Sequence, residues 1–141
     1  MNGRFRQRGT AAVEAAIVLL GFLFLLFGTM EIGRLLNVYN VMTDAAREAA
    51  RRGVTPLTQT STLPTTGDLT NWAQGYLQSA AIQNATVQIN QNFSCGSGPL
   101  SVQCTQVSIT VPYGVISLSA FSPLTVNLKA NAVMRNETSS Y

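Results

Sequence analysis

From Ala11 to Met30 the chain is apolar nearly throughout, and no proline interrupts it or the stretch that follows, up to Gly53. A helix rises ~1.5 Å per residue, so ~20 residues cross the ~30 Å hydrocarbon layer of a bilayer. In water a helix apolar on every side needs a large surrounding core, and too little chain remains to build one. The pattern therefore predicts one membrane span over about 11–30. Beyond it the pattern changes without a break. Ile32, Leu35, Leu36, Tyr39, Met42, Ala46 and Ala49 recur at spacings of three or four, which marks one face of an amphipathic helix. The span and this extension, 31–53, read as a single long helix over 10–53. The apolar stripe has two uses open to it: packing under the chain's own head, or meeting neighbouring subunits. Glu31 with Arg34, Asp44 with Arg47, and Glu48 with Arg51 or Arg52 stand at pairing distances along the helix, at ~0.2–0.5 kcal/mol each. Glu31, Arg34, Tyr39, Asp44 and Arg47 are the candidates for helix packing and assembly.

After Gly53 the periodicity is lost. Residues 54–67, VTPLTQTSTLPTTG, are rich in Thr, Pro and Ser and read as a linker. Asp68 is placed to cap a short helix from Leu69 to about Ile82, with Trp72, Tyr76 and Leu77 as apolar anchors that suit a core better than a ligand platform. From Ala85 the period becomes two. Val87, Ile89 and Phe93 alternate with polar residues, then Val107, Ile109 and Val111, then Leu124, Val126 and Leu128. Three half-buried strands of this kind suit an antiparallel sheet with one covered face. Residues 114–123, GVISLSAFSP, are expected to form a turn of helix between the last two strands. The expected fold is α+β and lollipop-shaped: a long amino-terminal membrane helix, then a head over 68–141 with a three- or four-stranded antiparallel sheet.

Charge refines this picture. The chain has 141 residues, nine basic and six acidic, and no histidine. Seven of the basic residues lie in 1–53, and the head balances Lys129 and Arg135 against Asp68 and Glu137. The head therefore lacks the basic patch that nucleic-acid phosphates require. Without histidine the commonest general base and metal ligand is missing. No nucleophile–base pair, phosphate loop or metal cluster stands out, so no enzyme, cofactor or metal site is expected. Arg4, Arg6 and Arg8 precede the span with no acid among them. Positive residues beside a span favour the cytoplasmic side, which puts the head outside. There Cys95 and Cys104, bracketing a Gly/Pro-rich turn, are expected to form a disulfide. Free buried thiols are the alternative.

Glu14 is the exception inside the apolar run. A carboxylate in the bilayer costs ~2.5 kcal/mol or more near the centre and less near an interface. It either snorkels to the interface or has a cationic partner. Gly9 directly precedes Thr10, and Glu14 is the fifth residue counted from Thr10. Cleavage between Gly9 and Thr10 would create an α-amino cation at the start of the span, able to neutralise this Glu14 or that of a neighbour. The block RGTAAVE, followed by EIGR and DAAREAARRGV, resembles the TadE-like family, the minor pseudopilins of tight-adherence (Flp) pili. The likeness covers about the first 53 residues. Ala15 stands where the family usually carries an aromatic residue.

What the resemblance implies is specific. Residues 1–9 are a cytoplasmic leader removed by a prepilin peptidase, with Gly9, Thr10 and Glu14 as the processing residues. The rest is a single-pass protein of the bacterial inner membrane, in contact with lipid and with other pilin or pseudopilin subunits, supporting assembly of a pilus for surface attachment. The alternative is a bitopic membrane protein that is never cut and serves as a scaffold or binding subunit of an envelope or secretion complex.

Overall fold

The structure, a computed structural model, describes residues 3–56, 62–96, 102–115 and 125–136, with side chains from Gly9 onward. The expected turn of helix over 114–123 falls mostly on residues outside these ranges. Helix α1 runs unbroken over Gly3–Val54, a length of about 78 Å at 1.5 Å per residue. Its apolar portion is long and apolar enough to cross a membrane, and no part of that window is covered by the rest of the chain. Helix α2 spans Thr66–Ser79, and three strands follow: β1 (Thr86–Cys95), β2 (Val102–Gly114) and β3 (Thr125–Arg135). The strands form one antiparallel sheet in the order β1-β2-β3. The architecture is thus the expected α+β one, a long apolar helix followed by a small head.

The register explains how the head sits on α1. Val87, Ile109 and Ala130 lie side by side across the three strands, as do Ile89, Val107 and Ala132. The bulk therefore comes from β1 and β2, while β3 offers alanines. On α1 the opposing surface is also small: Ala45, Ala46, Ala49 and Ala50 are fully buried together with Met42. Small side chains on both sides let α1 lie close against β2 and β3. The buried stripe differs from the expected one below this level. Leu35, Val38 and Val41 pack against the core, whereas Ile32, Leu36 and Tyr39 are exposed. The buried face, centred on Leu35, Val38 and Met42, lies about a quarter turn around the helix from Ile32, Leu36 and Tyr39.

Helix α2 closes the remaining side through Leu69, Ala73 and Leu77. It begins one turn earlier than expected. Thr65 is the N-cap and Asp68 the third residue of a reciprocal capping box: the Thr65 hydroxyl accepts from the Asp68 amide at 3.2 Å, and the Asp68 carboxylate accepts from the Thr65 amide at 3.3 Å. Its end is fixed by amides of Ala81 and Ile82 donating to the carbonyls of Gln78 and Leu77, both at 2.9 Å. Ala81 adopts φ 59°, the left-handed residue of a Schellman stop. Of the expected anchors, Leu77 is buried, Trp72 is partly buried against the core and Tyr76 remains 41% exposed.

The end of α1 meets α2 and β2 at Gly53. A Cβ there would lie 2.9 Å from Thr105 Cγ2 and 3.1 Å from Leu69 Cδ1. Thr105 is itself fully buried, its hydroxyl donating to Asn136 Oδ1 at 2.9 Å. Overpacking costs ~1–3 kcal/mol, which outweighs the gain of up to ~1 kcal/mol from replacing glycine in a helix. Gly53→Ala is expected to lower the melting temperature of the solubilised protein. Adding Thr105→Ser removes Cγ2, keeps the hydroxyl, and should restore part of the loss; an additive double variant would show that this contact does not set the cost.

Candidate functional site

The residues singled out for processing lie on α1. Helix α1 passes through Gly9 and Thr10 without interruption, and Thr10 and Glu14, four residues apart, share a face. Glu14 is exposed and borders an open, mostly apolar groove with Ala11, Ala15, Val18, Leu19 and Phe22. None of the described residues of the head covers this segment.

The second cluster lies where the helix leaves its apolar portion. Glu31 Oε1 accepts a hydrogen bond from the Tyr113 hydroxyl at 2.9 Å, and Glu31 Oε2 pairs with Arg34 at 3.2 Å. Tyr113 is 6% exposed at the end of β2. The three residues tie the lower edge of the sheet to α1 just above the expected span. Burial first, and the Glu31 carboxylate second, hold the Tyr113 phenol above the ordinary tyrosine range. The expected Glu31–Arg34 pair is present; its tie to Tyr113 depends on a contact across 82 residues, beyond the reach of local spacing. Asp44 and Arg47 are both exposed, and no ion pair joins them.

At the opposite end of the head, Glu48 accepts from Arg51 at 2.8 Å and from Arg52 at 3.0 Å. The two guanidinium groups lower its carboxyl to about 2. Arg52 also lies 4.1 Å over the Trp72 ring, which stacks with Tyr76 at 5.5 Å. Beside them β1 carries a bulge: Gln91 and Asn92 stand against Thr105 alone. The freed carbonyl of Gln91 accepts from Asn136 Nδ2 at 3.3 Å, while Gln91 Nε2 donates to the Pro64 carbonyl at 2.8 Å. Cys95 and Cys104 join β1 to β2 just past the bulge, Cα atoms 5.9 Å apart, a usual disulfide separation. Thr105 shares the inward parity of Val107 and Ile109, the one sequence signal for this polar cluster. Nothing local marks Asn136 or Gln91 as its partners. Among the described residues no group of three or more His, Cys, Asp or Glu is placed to hold a metal.

The architecture and its two exceptional carboxylates, Glu14 in the apolar portion and Glu31 at its edge, define a class: a long-helix protein whose head is built on the upper half of the helix. Within it, residues 9–51 match the family model described as TadE-like protein, the family that the RGTAAVE and DAAREAARRG blocks resemble. The match covers α1 from Gly9 almost to its end and stops before the head. No curated protein and no solved structure matches the chain.

The Tyr113 link has a measurable consequence. A hydrogen bond to a charged group contributes ~1.5–3 kcal/mol, so Tyr113→Phe is expected to destabilise the head by about that much. A raised phenol pKa means that this contribution is complete below the ordinary tyrosine pKa of ~10 and is lost as pH rises through the higher folded value. Stability of the wild type should therefore fall more steeply above pH ~10 than that of Tyr113→Phe, read by thermal unfolding at each pH.

Proposed function

We propose that this chain is a minor pseudopilin that supports assembly of a tight-adherence pilus for surface attachment. The observation that carries the reading is Glu14: one exposed carboxylate on an otherwise apolar helical segment, five residues into the sequence that begins at Thr10, inside the stretch that matches the TadE-like family.

The mechanism is physical rather than catalytic. The chain sits in the bacterial inner membrane with its basic amino end in the cytoplasm and its head outside. A prepilin peptidase removes residues 1–9. The apolar half of α1 then holds the subunit in lipid as a reservoir. Leaving the bilayer exposes that surface, so extraction requires other pilin or pseudopilin helices to bury it. A new α-amino group at Thr10, with an ordinary pKa near ~8, is a cation at neutral pH. It neutralises Glu14 of the same or a neighbouring subunit and removes the cost of carrying a bare carboxylate into a helical bundle.

The alternative reading is an uncut bitopic scaffold of an envelope or secretion complex. The two readings separate on the amino-terminal residue and intact mass of the protein extracted from membranes of cells that contain the peptidase. A start at Thr10 supports pilin-type processing, and an intact amino end supports the scaffold. On the first reading Glu14→Ala leaves the protein inserted and abolishes or strongly reduces piliation; normal piliation in that variant would sink it.

A further inference from the structure

Arg34 has half of its chemistry unaccounted for. It is the one basic residue between Arg8 and Arg47. On the proposed orientation it stands just outside the outer end of the span, the side that positive residues tend to avoid. Its pair with Glu31 uses Nη1, at 3.2 Å, and its side chain stays 43% exposed against 13% for Glu31. A guanidinium carries five N–H donors in a planar fork. The pair with Glu31 therefore leaves the other edge of the fork, Nε and Nη2. Among the described residues no second acid is paired with Arg34.

The level of this group on the helix selects its partner. With Met30 at the edge of the hydrocarbon, Arg34 stands four residues further out, or ~6 Å at 1.5 Å per residue. The headgroup layer on one side of a bilayer is ~5–7 Å thick. The guanidinium is thus held where lipid phosphates are concentrated. Phosphate oxygens accept two parallel hydrogen bonds from a guanidinium edge, a match that a lysine amine lacks. The other arginines beyond the span lie too high for such a contact. Arg47, the nearest of them along α1, stands 17 residues above Met30, or ~26 Å.

We infer that the Nε–Nη2 edge of Arg34 binds the phosphate of a phospholipid headgroup. Glu31 orients the guanidinium from one side through Oε2, and its Oε1 accepts from the Tyr113 hydroxyl at 2.9 Å. Phosphate, Arg34, Glu31 and Tyr113 then form a continuous line of polar contacts from the bilayer to the end of β2, which holds the foot of the sheet at the membrane surface. The inference rests on the membrane placement proposed above and on neither cleavage nor a filament.

The test is solid-state NMR of the purified full-length chain in phosphatidylglycerol bilayers, reading the dephasing of arginine guanidinium carbons by lipid phosphorus. Arg4, Arg6 and Arg8 are first replaced together by lysine, so that phosphates at the other face give no arginine signal. Arg34 is then one of five arginines. The expected result is dephasing of about one fifth of the guanidinium carbon signal, lost on adding Arg34→Lys and retained on adding Arg51→Lys, which removes a paired arginine far above the bilayer. No dephasing in the starting protein overturns the inference, as does dephasing that survives Arg34→Lys. A phosphorus-free galactolipid bilayer with inorganic phosphate in the buffer should give none; full dephasing there assigns the site to free phosphate and overturns the lipid. Insertion is read separately by flotation after an alkaline wash. A chain that does not float rejects the membrane placement and the phosphate site with it. An inserted chain that is never cut in cells rejects the processing reading and leaves this site intact.

Discussion

The structure depends on one helix serving two environments. Over its apolar portion, α1 presents apolar side chains nearly all round, none of that window covered by the described residues of the head. Over its second half it becomes the floor of a folded head. The change is made by side-chain size rather than by a break in the backbone. Four alanines, at 45, 46, 49 and 50, are fully buried, and their small volume brings the alanine-bearing strand β3 close to the helix axis. A larger residue in that row would lift the sheet, and β1 and α2, which complete the same core through Val87, Ile89, Ala73 and Leu77, would lose their seat. The core of so small a head is thin, and the helix supplies a whole wall of it.

Polar contacts then fix where on this wall the sheet rests. At the lower edge Tyr113 reaches Glu31; at the upper end Thr105 packs against Gly53 and bonds Asn136. Strand β2 carries both residues, so it is pinned to α1 near each end, while the apolar rows between them define only a surface. The bulge in β1 fits the same logic. It turns the end of the strand toward residues 64 and 136, where Gln91 and Asn136 satisfy the groups that the irregularity leaves free. The disulfide pair follows immediately, so the least regular part of the sheet is also the most cross-linked.

Much of this was legible from residue periodicity. The long helix, the two-residue period of each strand and the antiparallel arrangement all follow from which positions are apolar. The start of α2 was less so, because Asp68 and Thr65 are both capping residues and only the reciprocal geometry distinguishes the N-cap from its partner. The buried face of α1 was legible in its alanines and not in Ile32, Leu36 and Tyr39. Those three have the chemistry of core residues, and the sequence does not say which of two apolar faces the head occupies. The long-range partners, Tyr113 for Glu31 and Asn136 for Thr105, depend on strand register, which local pattern does not determine.

In the membrane half, Glu14 borders an apolar groove with Val18 and Phe22. A parallel helix packed beside this groove in register would bring its own residues 10–18 to the level of Glu14. On the processing reading, the amine of Thr10 in that neighbour lies about four residues, or ~6 Å along the axis, from this carboxylate. Where side chains close the lateral gap between such helices, opposite charges in a medium of low dielectric attract far more strongly than in water. An uncut neighbour would place an uncharged peptide bond there instead, and each Glu14 would keep its desolvation cost or take up a proton. Cleavage would then act as a chemical switch on a pre-existing contact. On that reading the apolar groove would set which helices lie side by side, and the new amine would set whether the carboxylate between them is tolerated on leaving the bilayer.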